Sequence, residues 1–211
     1  MGIFNRLFKS RSRTPGKVSG KRLRELEKLK PQAVPMKADK YWLIIGRSLR
    51  KTKSMEDQRL KLVKLLGKLK CEEIIGFHLR TEQLLKDSHH EDLLCAAHLI
   101  EGGVYENAFE FFRCWLISRG QQVFKKALQN PDSLIAVLDD VEDHSFEAFY
   151  HIPEEVFMQA TGKSMNDFIA AQIKDAGIEE LHLSWSPNNP DSMRHICPEL
   201  FRKYAMQDSR W

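Results

Sequence analysis

FEFFRCWLISRG, residues Phe109 to Gly120, sets one of its two arginines, Arg113, among three phenylalanines, a tryptophan, a leucine and an isoleucine. At 100° per residue, Phe111, Trp115, Phe112, Leu116 and Phe109 fill one continuous arc. Arg113 falls between Phe109 and Ile117, just past the edge of that arc, and only Glu110, Cys114 and Ser118 make a polar face. A helix this apolar is buried on most sides, and a buried guanidinium without a partner is costly. The expectation is therefore an internal strut paired with a carboxylate. Glu110 is the local candidate, and Glu91, Asp92 and Asp132 lie in neighbouring elements. A substrate anion is the competing partner.

Working outward, the helical period continues in both directions. DKYWLIIGRSLRK places Tyr41, Trp42, Ile45 and Leu49 on one stripe. Ser54 with Asp57 reads as a cap before RLKLVKLLGKLK, where Leu62, Leu65, Leu66 and Leu69 oppose Lys61, Lys64 and Lys68. Ser88 with Glu91 repeats that cap pattern before EDLLCAAHLIE, which Gly102–Gly103 should end. Asn130-Pro131 reads as cap plus first-turn proline for DSLIAVLDD. Further helical patterns follow, LHLSW (181–185) alternates like a short strand, and Pro198 opens a last helix. The class is all-α, a compact multi-helix domain.

The chain of 211 residues can bury one substantial core. No apolar run is long enough for a membrane helix, and the start lacks the features of a secretory signal. Arg6 stands where a myristoylation start wants Ser or Thr. A cytoplasmic location is expected, with the widely spaced Cys71, Cys95, Cys114 and Cys197 as free, buried thiols.

Charge is divided along the chain. Residues 1–70 hold 21 Lys+Arg against 5 Asp+Glu, and residues 71–211 hold 12 against 24. Residues 1–35 read as a flexible, disordered basic arm and 36–211 as the helical domain, with the boundary near Pro35. Arg6, Lys9, Arg11, Arg13, Lys17, Lys21, Arg22 and Arg24 are the arm's anion-binding candidates, toward nucleic acid or an anionic membrane surface.

Catalytic patterns are absent from the sequence. No serine or cysteine sits in a nucleophile motif, and no glycine-rich phosphate loop follows a strand. Cys95/His98 and His195/Cys197 are lone pairs with unfamiliar spacing, so neither metal nor cofactor is expected.

EDLLCAAHLIEGGVYENAFEFFRCWLISRGQQVFKKALQNPDSL resembles the core motif of a bacterial family called domain of unknown function 4240. That motif runs D-L-W-x-A-A-x-x-I-x-G-G, then F-x-x-F-R-x-W-L-I-x-x-G, then P-D-S-L. Asp92, Ala96, Ala97, Ile100, Gly102, Gly103, Phe109, Phe112, Arg113, Trp115, Leu116, Gly120, Pro131, Asp132 and Ser133 match it. Leu94 replaces the tryptophan, and Cys95 and His98 are not motif positions. The similarity spans roughly residues 39 to 205. It implies a helical fold, assigns no activity, and marks Asp92, Arg113 and Asp132 as one polar cluster. The function expected is a non-catalytic interaction module whose helical body binds a protein. The alternatives are an anionic-polymer or anionic-surface binder using residues 1–70, and a small-molecule enzyme built on the Arg/Asp cluster.

Overall fold

The computed structural model describes residues 20–103, 106–138, 143–174 and 180–205. Helices α1 (Gly20–Glu27), α2 (Ala38–Leu49), α3 (Met55–Leu66), α4 (Cys71–Asp87), α5 (Glu91–Glu101), α6 (Glu106–Ser118) and α7 (Gln121–Gln129) come first. A 3₁₀ turn (Pro131–Ala136) leads to α8 (Glu147–Thr161), a second 3₁₀ turn (Met165–Phe168) and α9 (Ala171–Lys174). The described chain closes with α10 (Pro190–Ile196), α11 (Pro198–Leu200) and a π-helical turn over Phe201–Ala205. No strand forms among the described residues, so the all-α class holds.

Helix α6 is the central element. Phe109, Phe112, Cys114, Trp115, Leu116 and Ile117 are all buried. It packs on α4 and α8 at one side and on α5 and α7 at others, which explains its nearly all-round apolar sequence. Helix α8 bridges α3, α4 and α6, while α5, α10, α11 and the turn at Pro131–Ala136 form the C-terminal end. Each large side chain buried this way contributes about 1.5–3 kcal/mol.

Local signals explain most boundaries. Ser54 Oγ accepts the Asp57 amide at 3.1 Å, and Asn130 Oδ1 accepts the Asp132 amide at 3.1 Å. Gly102 ends α5 in the left-handed region, φ 68°. Ser88 departs from expectation. Its hydroxyl donates back to Leu84 O at 2.7 Å and Leu85 O at 3.2 Å, closing α4 instead of opening α5. The segment 181–185 is not a strand but an irregular stretch with a bend at Ser184, pinned to α5 by Trp185 Nε1, which donates to Glu91 O at 3.0 Å.

The basic arm proposed from sequence divides at Gly20. Residues 1–19, with Arg6, Lys9, Arg11, Arg13 and Lys17, lie outside the described residues, as does the Lys21 side chain. From Gly20 onward the chain rests on the body. Leu26 and Leu29 pack against the core, Arg22 donates to Gly67 O at 3.0 Å, and Gln32 pairs with the Phe168–Ala170 backbone. The leucine spacing that forms a short helix also gives it a face to bury. Met36 N then donates to Gly76 O at 2.7 Å; a Cβ on Gly76 would stand 3.3 Å from that nitrogen.

Candidate functional site

Arg113 is 3% exposed, and its guanidinium ends on carbonyls. Nη1 donates to Leu85 O at 2.5 Å and Nε to Phe109 O at 3.3 Å, while Cζ lies 4.6 Å from the Phe109 ring centroid. Leu85 is in the last turn of α4, where carbonyls have no intrahelical donor and the helix dipole is negative. The cation is thus held by a helix C-terminus and an aromatic face, with no described carboxylate in ion-pair contact. Burial pulls its proton affinity down; Glu110 and Glu82 oppose that through space.

The other two members of the expected cluster lie elsewhere, and no hydrogen bond or ion pair joins them to Arg113. Asp132 is 8% exposed and accepts the amides of Glu199 at 2.9 Å and Leu200 at 2.8 Å. It caps α11 from across the fold, which fixes the C-terminal end to the turn after α7. Asp92 is exposed in the first turn of α5.

Three polar groupings escaped the sequence reading. Gln58, 1% exposed, donates to Ser48 Oγ at 3.1 Å and Ser118 O at 2.9 Å and accepts from Arg119 at 2.6 Å, tying α2 and α3 to the end of α6. Tyr41 and Thr81 hydroxyls meet at 2.9 Å between α2 and α4. Tyr150 of α8 donates to Glu82 of α4 at 2.6 Å, with His78 Nε2 3.6 Å from the same oxygen. Burial and that carboxylate push the Tyr150 phenol up, and burial lowers His78. The contacts Tyr41–Thr81, Gln58–Ser118, Gln58–Arg119 and Glu82–Tyr150 each join residues 40 or more apart, a separation that no local pattern encodes.

Nothing among the described residues activates Cys71, Cys114 or Cys197 as a thiolate. All four cysteines are free and buried; burial pushes Cys114 up, and hydrogen bonding to Cys95 followed by burial does the same to Cys197. Among the described residues no group of three His, Cys, Asp or Glu is placed to hold a metal ion.

What the first three helices present outward is distinctive. Each outer stripe centres on one exposed leucine: Leu23 in α1, Leu43 in α2 and Leu60 in α3, at 47%, 51% and 45% exposure. Arg24 and Lys28 flank the first, Lys40 and Arg47 the second, Lys64 the third. Some cations here are paired: Arg22 to Glu25, Lys40 to Glu73, Arg59 to Glu56 and Glu155. Lys28, Lys30, Arg47, Lys53, Lys64 and Lys68 are exposed and pair with no described carboxylate.

The chain matches the family described as Protein of unknown function (DUF4240) over residues 36–159, more than half its length. That span holds α2 to α7 and most of α8, including Arg113 and its two acceptors and the whole quoted motif, and ends before residue 205, to which the looser similarity extends. No curated protein and no solved structure matches the chain.

Proposed function

Because the chain belongs to the DUF4240 family of proteins of unknown function, we propose its role from its surface: a non-catalytic interaction module that docks α1–α3 onto an acidic protein partner. One observation carries this reading: an exposed leucine sits at the middle of each outer stripe of these helices, with cations beside it. Protein interfaces combine an apolar centre with a polar, charged rim. A phosphate polymer needs the cations but gains nothing from leucines, and single-stranded nucleic acid is gripped by stacked aromatics. The exposed large hydrophobics here are aliphatic side chains and one methionine. Residues 1–19, which precede α1 in the sequence, add Arg6, Lys9, Arg11, Arg13 and Lys17 to the chain's basic residues.

The test is affinity capture at two salt concentrations, with wild type and a Leu43→Asp/Leu60→Asp variant, each with and without nuclease. Loss of the captured protein in the variant, indifference to nuclease and weakening with salt are expected. Capture that survives the leucine changes and disappears with nuclease would replace this reading with nucleic-acid binding.

A further inference from the structure

Between α1 and the start of α4 lies a hollow of about 400 Å³, floored in part by Leu29 and rimmed by Lys28, Lys30 and Lys70. Its two carboxylates are differently placed. Glu25 is occupied, bonded to Arg22 at 2.8 Å and to the Cys71 amide at 3.3 Å. Glu72 stands at the rim, 4.0 Å from Lys70. Lys28 and Lys30 are exposed with no described carboxylate in contact, so the positive charge facing the hollow is uncompensated.

We propose that this hollow is the anchor point of the docking face, taking an acidic linear segment of the partner, its carboxylates on Lys28 and Lys30 and an aliphatic side chain over Leu29. This rests on the reading of α1–α3 as the docking face and narrows it to one place and one partner chemistry. Charge complementarity sets register and speeds encounter, while the apolar contact needs a concave seat, and this hollow supplies both.

The full-length protein is titrated against a fluorescein-labelled peptide of alternating glutamate and leucine. A glutamate-only peptide and an oligothymidylate of equal charge serve as comparators. Lys28→Glu/Lys30→Glu should weaken the first by at least about tenfold, and Arg47→Glu/Lys53→Glu, the same charge change away from the hollow, by about twofold or less. The glutamate-only peptide and the oligothymidylate should bind more weakly than the leucine-bearing one. Equal weakening by both variants, or equal binding of the comparators, overturns the anchor while leaving the basic face standing. No effect of either variant, or no binding of the probe at all, overturns the anchor; if Leu43→Asp/Leu60→Asp also leaves partner capture intact, the docking face falls with it.

Discussion

Arg113 supplies a donor to Leu85 O at the end of α4 and lays its charge on the Phe109 ring, so truncating it removes both at once. Arg113→Met should cost less than Arg113→Ala, which should cost about 2–4 kcal/mol in urea unfolding, since the methionine stem still fills the site and Leu85 O keeps the Ser88 hydroxyl as a donor. An alanine variant as stable as wild type would refute the strut. Asp132 makes a comparable brace through two amides, and Asp132→Ala should cost about 1–2 kcal/mol and speed amide exchange of Glu199 and Leu200. His78 gives a pH signature. Burial depresses its proton affinity, so below the ordinary histidine value of 6.5 the unfolded chain takes up a proton that the folded one refuses. Stability contributed by this group is therefore full above that pH and declines as pH falls through it. His78→Gln should flatten that decline, and an unchanged slope would assign it to other groups. The burial of Arg113 was legible because apolar residues surround it in sequence. The identity of its acceptors was not, since Leu85 O is a backbone atom 28 residues away and leaves no trace in residue type.

At the scale of the element, caps made within three residues were readable, and those that needed the fold to choose between two helices were not. Ser54 and Asn130 each serve the helix or turn that follows them. Ser88 stands between two helices with Glu91 three residues on, so the local pattern favours the second helix. In the fold its hydroxyl is buried against Leu84 O and Leu85 O, beside the Arg113 fork, and serves the first. Ser88→Ala should therefore cost about 1 kcal/mol and raise hydrogen exchange in the last turn of α4, leaving the first turn of α5 as it was. Faster exchange confined to Glu91–Leu93 would reverse the assignment. The alternation in LHLSW misled for a related reason. Trp185 is buried against α5 and bonded to Glu91 O, while Leu183 is 46% exposed, so the period of two reflects one anchored indole and no sheet.

Across the whole molecule, the division of charge places the cation excess of the described residues on α1–α3 and the segments joining them. The all-α class and the aromatic centre were legible because periodicity and composition report burial directly. Where the arm meets the body was not: a short leucine-spaced helix followed by prolines looks detachable until the surface it covers is known. That surface is the side of α4 and α8. Removing residues 1–35 strips the half-buried Leu26 and Leu29, the Arg22 contact with Gly67 O and both Gln32 backbone bonds. Removing residues 1–19 touches none of these. The longer deletion should be less stable than the shorter by about 2 kcal/mol, from roughly 25 cal/mol per Å² of uncovered apolar surface and the lost hydrogen bonds. In thermal unfolding that is a Tm lower by roughly 4–8 °C. Equal melting temperatures would show that residues 20–35 cling to the body too weakly to belong to it. A lower one means that binding lost on deleting residues 1–35 cannot be assigned to arm charge, and that the 1–19 deletion is the one that isolates it.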